Sequence, residues 1–313
     1  MQRDLFAQVD LPRVYRRRRL KNNLALILTG VAMVLATVPL VWIVAYVVIK
    51  GWRVINLDFF IHLPGAMGET GGGVTNAIQG SIVMVIVAVI IAIPLALLAA
   101  FYLLYHPQSL LGQVIKFSTD LLAGVPSIVI GIFGYALFVV PFGSYSALAG
   151  GLTLAMIMLP VVIRSSEEML KLAPQELREG SLALGAPEWK TSLSVLLVAA
   201  LEGIVTGVML GLARAIGETA PLLFTALGNE HYNIFDYVRQ GIQHNQSFYE
   251  ILHKILAEPT DALPLTLWKY AQQPYPERVA QSWGVALVLM LLALLLNIGS
   301  RVWLARRKRK QQR

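Results

Sequence analysis

The chain has 313 residues, of which 56% are hydrophobic and only 14% charged, and its mean hydropathy is +0.63. Soluble domains carry about 25% charged residues, so the composition excludes an ordinary soluble domain and points to an all-α integral membrane protein. Cysteine is absent, which rules out a disulfide framework and a thiolate metal centre. The net charge of +8 comes from Lys and Arg clustered beside apolar blocks, a pattern that sets membrane topology rather than nucleic-acid binding.

Residues 1–23 are polar and basic, with Arg16–Arg19 and Lys21 ahead of the first apolar block, Leu24–Ile49. That block is too long for a signal-peptide core and no small-residue cleavage site follows it, so it reads as a retained first span. Residues 50–76 form a loop ending in GETGGG (Gly68–Gly73), which lacks the Lys-Ser/Thr and the preceding strand of a phosphate-binding loop. A second span covers about 77–104, with Pro94 inside it, and a third about 114–140. The third is interrupted by GVPSIVIGIFG (Gly124–Gly134), where three glycines and Pro126 predict a broken or closely packed helix. The turn 141–146 leads to a fourth span, 147–163, ending near Pro160. After a polar stretch, 164–193, a fifth span runs from 194 to 227. Residues 228–281 read as a long amphipathic loop whose Trp268, Tyr270 and Tyr275 suit a membrane surface. A sixth span, 282–303, precedes a basic tail, 304–313. Each block approaches the roughly twenty residues needed to cross a bilayer. The pattern predicts one transmembrane domain, 24–303, of six helices.

With both termini in the cytoplasm, the inner segments hold 19 Lys and Arg and the outer loops 6. The positive-inside rule therefore places both termini and the 164–193 loop in the cytoplasm and 228–281 outside.

Two stretches carry the chemistry. In 164–193, Leu170, Leu177, Leu182 and Leu184 alternate with charged residues at helical spacing, Pro174 suits a helix start and Gly185 a helix end. This predicts a short helix on the inner membrane face, either a bare surface helix or a docking element. In the fifth span, Gly203, Gly207 and Gly211 line one face and permit close helix approach. Arg214 and Glu218 continue roughly along that face and can pair at i,i+4. A charge in the membrane interior is costly and faces a bundle interior or an aqueous path. The pair is either a structural ion pair or an anion site in which Glu218 orients Arg214. Ser127 and Thr219 are further hydroxyl donors, and the 124–127 turn offers backbone N–H groups if a half-helix begins there; the plainer reading of that turn is close helix packing. Glu202 is also intramembrane by count, with no role assigned. His62, His106, His231, His244 and His253 are scattered with no i,i+4 pair, so no metal is expected.

The run Glu179-Gly180-Ser181-x3-Gly185-x9-Val195-x-Leu197 resembles the Glu-Ala-Ala-x3-Gly-x9-Ile-x-Leu-Pro signature of ABC importer permeases. Glu179 and Gly185 match in place, Gly180 and Ser181 stand in for the two alanines, and Val198 replaces the final proline. The strings GGGVTNAIQGS (71–81), GVPSIVIGIFG (124–134) and ARAIGETAPLLFTAL (213–227) resemble the phosphate permeases within that family. The resemblance implies the type I, MetI-like permease architecture in the inner membrane and a non-enzymatic role, with no cofactor in this chain. It implies a coupling helix through Glu179, Gly180, Ser181 and Gly185, docked on a cytoplasmic ATPase dimer that binds ATP-Mg. It also implies a second permease subunit, an external phosphate-binding protein, contact with lipid and a link to a phosphate-signalling regulator. Nucleic acid has no place in this scheme. The rival expectations are another oxyanion (sulfate, molybdate or a phosphonate), an ion-coupled secondary transporter, and an added sensing role.

Overall fold

Backbone polar groups have no water to bond in hydrocarbon, so a chain this apolar has to satisfy them within helices. The computed structural model, which describes residues 11–69 and 71–311, is accordingly helical; among the described residues β pairing is limited to two isolated bridges, Pro64–Gly72 and Leu227–Thr260. The first ten residues of the basic N-terminal stretch and the last two of the basic tail lie outside the described residues. Among the described residues five helices are long and apolar enough to cross a membrane, and a sixth crossing is made if one sharply bent pair counts as a single span.

The chain divides into two units at Lys50. The first consists of α1 (Leu11–Trp52) as far as Lys50, and from Leu24 to Ile49 its apolar side chains other than Val47 are exposed, as on a lipid-facing helix.

The second unit is organised around α7 (Ala147–Lys171), against which both α3 (Thr75–Tyr105) and α10 (Leu197–Ile216) pack. Small residues make both contacts possible. On α3 a stripe at four-residue spacing, Met84, Ala88, Ala92, Ala96 and Ala100, is fully buried. Opposite it, a Cβ on Gly151 of α7 would lie 2.6 Å from the Val87 side chain. On α10, Gly203, Gly207 and Gly211 face Met169, Ser165 and Val162 of α7. A Cβ at Gly207 would lie 2.4 Å from that of Ser165. Gly207→Val is therefore expected to force the two helices apart and to cost about 1–3 kcal/mol, read as a lowered thermal midpoint of the purified complex. Ser165→Gly in the same chain should recover part of the loss.

The helix α7 does not end near Pro160 but continues to Lys171. Pro160 is buried, and helix packing on both sides holds the turn across the missing hydrogen bond. Glu167, Glu168, Leu170 and Lys171, expected on a surface helix, thus belong to the end of α7, where Glu167 is buried beside Lys171. Leu170 packs with Leu196, Ala200 and Ile204.

Two spans are broken. Between α4 (Leu110–Gly124) and α5 (Ser127–Gly134) the chain bends by 113°. Pro126 disfavours helical dihedrals at the residue before it, and Val125 is extended (φ −75°, ψ 134°). The helical path then runs through a π turn (Tyr135–Val139) into α6 (Val140–Phe142). The expected fifth span, 194–227, is likewise two pieces. α10 stops at Ile216, residues 217–219 are non-helical, and α11 (Ala220–Thr225) restarts with Pro221 in its first turn, where a missing N–H costs nothing.

Residues 228–281 are not a loop. They contain α12 (Ile234–Gln243), α13 (Phe248–Ala257), α14 (Leu263–Ala271) and the start of α15 (Pro276–Gln311). α12 and α13 form a hairpin in which Gly241 lies against Ile251, and a Ser247–Glu250 capping box starts α13. Leu263 and Tyr270 of α14 share a core with Phe59 of the short α2 (Leu57–Ile61), Val74, Ala77 and Val285. Tyr270, expected on a membrane surface, is therefore 1% exposed, while Trp268 and Tyr275 remain partly exposed.

A buried polar network fastens this end of the bundle. Asn76 of α3 donates to an Asp261 carboxylate oxygen (3.3 Å) and to the Asn229 carbonyl (3.1 Å), and Lys269 Nζ lies 3.3 Å from the other Asp261 oxygen. Burial pushes the Asp261 carboxyl above its ordinary range, against the opposing pull of Lys269. Arg278 donates to the Gly65 carbonyl (2.7 Å), pairs with Glu230 (3.6 Å) and lies over the Tyr270 ring (4.5 Å). Gln281 donates to the Gly71 carbonyl (2.7 Å).

Candidate functional site

The helices that follow the two breaks meet. α5 packs on α11 so closely that a Cβ on Gly131 would lie 2.6 Å from the Pro221 Cα, and Gly134 abuts Thr153 of α7. The second halves of both broken spans are thereby seated together beside the central helix. Discontinuous helices in a membrane bundle expose backbone and side-chain polar groups only where they line a cavity or are buried in protein.

Arg214 lies in the last turn of α10, where the helix dipole favours a cation. Its Nε is 3.5 Å from a Glu218 carboxylate oxygen, with the Arg214 side chain 38% exposed and that of Glu218 16%. The expected i,i+4 pair is present but does not run along one helical face. Glu218 sits in the break, and the small-residue stripe passes from Gly211 to buried Ala215 rather than to Arg214. Thr219 is the half-buried N-cap of α11, with no capping hydrogen bond from its side chain. Ser127 is the first residue of α5, also half-buried. The structure thus gathers Arg214, Glu218 and Thr219 at one break and places Ser127 at the other. A guanidinium held by a carboxylate, with Thr219 the next residue of the same break, offers a fork that matches an oxyanion.

The second region is α8 (Gln175–Ala183) with the turn that follows it. Gly185 adopts φ +82°, its N–H donates to the Leu182 carbonyl (2.9 Å), and the Ala186 N–H donates to the Ser181 carbonyl (3.2 Å). This is a complete Schellman closure, which requires the left-handed residue that glycine supplies. The Ser181 hydroxyl is 2.8 Å from that of Thr191 in α9 (Glu188–Thr191), fixing the returning chain. Arg178 lies over the Tyr105 ring (4.7 Å) at the end of α3 and 3.7 Å from Glu188. Glu179 is exposed and accepts from Gln175 (2.7 Å), and Gly180 has open space beside it. Leu184 is 91% exposed and Trp189 67%, an apolar surface presented at the tip of a polar loop. Where Val198 replaces the signature's proline, the chain enters α10 through a π turn (Ser192–Leu196) without a helix stop.

Residues 92–310 match the family of binding-protein-dependent transport system inner membrane components. The chain belongs to that family. It is 38% identical over 292 residues to the phosphate transport system permease protein PstA of Yersinia pestis, covering 93% of this chain and 92% of that one. It is 39% identical over 300 residues to PstA of Xylella fastidiosa, covering 94% and 96%, and 37% identical over 300 residues to PstA 1 of Mycobacterium tuberculosis, covering 94% and 91%. A chain of the MetNI methionine ABC transporter, solved in an inward-facing conformation, shares the fold with a TM-score of 0.52 at 17% identity, over 75% of this chain and 94% of that one.

Of two further structural features, one is periodic in the sequence and the other is not. The alanine stripe on α3 repeats every fourth residue, a signal as regular as the glycines of α10. The Asn76–Asp261–Lys269 and Arg278–Glu230 contacts join segments far apart in the chain, and no local spacing announces them. Among the described residues no group of three His, Cys, Asp or Glu is placed to hold a metal.

Proposed function

We propose that this chain is the transmembrane permease subunit of an ABC importer that carries inorganic phosphate across the cytoplasmic membrane, driven by ATP hydrolysed on separate subunits. The observation that carries this reading is its similarity to phosphate permease proteins over more than nine-tenths of its length. The chain itself is non-catalytic and contains no nucleotide-binding motif. A second permease subunit completes the pathway, a phosphate-binding protein delivers the solute from outside, and α8 with its exposed Leu184 docks on the ATPase. In the pathway Arg214 is the oxyanion donor, Glu218 holds its fork, and Thr219 and Ser127 add hydroxyls. Stabilisation of phosphate has to stay modest, because a site that binds tightly does not release.

The test is uptake of radiolabelled phosphate by cells lacking their own phosphate permeases and supplied with this chain and its partner subunits. Uptake that requires the ATPase and is undiminished by excess sulfate, molybdate or phosphonate is the expected result. Competition by one of those anions reassigns the substrate, and uptake without the ATPase makes the protein a secondary transporter.

The excess of Lys and Arg in 1–23, 164–193 and 301–313 supports cytoplasmic termini. Since the chain has no cysteine, single-cysteine labelling reads this cleanly. A membrane-impermeant maleimide is expected to reach Tyr249→Cys from outside intact cells and Glu179→Cys only after the membrane is opened. The reverse pattern overturns the orientation.

A further inference from the structure

Four side chains tie the end of α3 to the 164–193 region, and the transport reading above gives them no part. Tyr105 is the last residue of α3. The Arg178 guanidinium of α8 lies 4.7 Å over its ring, and its hydroxyl is 2.6 Å from that of Ser192, the first residue of the π turn that leads into α10. The Ser192 hydroxyl donates to the Glu188 carbonyl (2.8 Å), so the Tyr105 hydroxyl is the donor to Ser192. The Glu188 carboxylate in turn lies 3.7 Å from Arg178. Arg178 Nε is buried with no hydrogen-bond partner among the described residues, so the tyrosine ring and the Glu188 charge hold the guanidinium.

These contacts matter because of where α3 leads. α7 and α10 flank α8 and α9 in the chain and follow them covalently, whereas α3 is distant in sequence and meets α8 through Tyr105. α3 runs unbroken for 31 residues, about 46 Å at about 1.5 Å per residue. Its other end is fastened by polar side chains of the 71–81 string. Asn76 holds Asp261 and the Asn229 carbonyl, Gln79 accepts from the Ile234 N–H (2.6 Å), and Ser81 accepts from the Leu263 N–H (2.8 Å). A helix with one end on α8 and the other on residues 229–263 carries a displacement between them. Given α8 as the ATPase-docking element, the reading on which this inference rests, we propose that Tyr105 is the positioning residue that passes movement of α8 to α3, and through α3 to the 229–263 segment.

The assembled complex in lipid nanodiscs, with partner subunits made cysteine-free, is spin-labelled at Ile82→Cys, an exposed position towards the Asn76 end of α3. ATP is expected to shift the label's spectrum. Tyr105→Leu keeps apolar packing against Leu170 and Leu196 but loses both polar contacts, and it is expected to remove most of that shift. The ratio of hydrolysis stimulated by phosphate-loaded binding protein to basal hydrolysis is expected to fall about tenfold in Tyr105→Leu and about threefold in Tyr105→Phe, which loses the hydroxyl alone. Ser192→Ala breaks the same hydrogen bond from the other side and is expected to match Tyr105→Phe, with the double variant no worse than either. A label that ignores ATP in the parent, or responds equally in Tyr105→Leu, overturns the proposal. So does a fall in basal and stimulated hydrolysis by the same factor, which marks a merely structural residue. Where Tyr105→Leu does not assemble, Tyr105→Phe and Ser192→Ala decide, and the parent's ratio in both overturns it. A parent whose label answers ATP but whose hydrolysis ignores phosphate-loaded binding protein refutes the phosphate assignment and leaves the label to decide this one. Substitution of Gly185 separately reports whether α8 is the docking element.

Discussion

Arg214→Gln is expected to cut phosphate uptake sharply while leaving membrane level, complex assembly and basal ATPase activity in place. The guanidinium lies at the break between α10 and α11, 3.5 Å from Glu218, with its side chain 38% exposed. It is reachable, and it is held. A hydrogen bond to a charged partner contributes about 1.5–3 kcal/mol, so removing the fork from the pathway corresponds to roughly a 10- to 100-fold loss in uptake at limiting phosphate. Arg214→Lys keeps the charge and loses the planar fork, and an intermediate loss is expected. The double variant Arg214→Gln/Glu218→Gln decides between the pathway role and a purely structural pair. Removing one member of a structural pair strands the other, whereas removing both is close to neutral. Uptake restored in the double variant would make the pair structural and move the anion path elsewhere. Uptake as poor as in Arg214→Gln alone assigns the arginine to the solute.

The parts of this protein legible in its sequence are those written in local spacing. Apolar blocks mark the spans, the 203–207–211 glycines mark a close helix contact, and Pro174 and Gly185 bracket α8. Pro126 marks a break because its effect on Val125 is local and steric. Pro160 carries the same sequence signal and gives the opposite outcome, because α3 and α10 pack along α7 and hold the helix through it. The break at 217–219 was hidden in the converse way: GETAP lies inside an apolar run that reads as one span, and only Pro221 hints at a restart. The candidate site shows the same division. The spacing of Arg214 and Glu218 announces the pair, but a helical wheel puts both on the glycine face, whereas the break turns Glu218 off it and Ala215 takes the place against the core. The fold of 228–281 was the least legible. Its buried anchors, Asp261, Tyr270 and Arg278, find their partners on α3 and in residues 65–72 and 229–230, and such long-range pairing leaves no periodic trace.

Substitution of Gly185 is expected to uncouple the transporter in a graded order that separates two causes. Gly185 closes α8 at φ +82°, and a Cβ there would meet nothing within 4 Å. Within this chain, then, the entire cost of a side chain is backbone strain, about 1–2 kcal/mol for a residue forced into the left-handed region. That is enough to shift the balance between a closed and an unravelled turn by roughly 5- to 30-fold. Unravelling frees the Gly185 and Ala186 N–H groups from Leu182 and Ser181 and releases the Ser181–Thr191 contact that sets where Leu184 points. If strain is the cause, Asn is tolerated best because its side chain accepts the left-handed conformation, Ala is worse, and β-branched Val worst. If the glycine is needed because a partner presses on it, loss follows volume, and Ala is better tolerated than Asn. Phosphate-stimulated ATPase activity of the assembled complex, measured for Gly185→Asn, Gly185→Ala and Gly185→Val, reads the order directly. Asn above Ala establishes the turn as the coupling element's internal hinge, Ala above Asn establishes a pressed contact surface, and full activity in Gly185→Val removes α8 from the coupling path altogether.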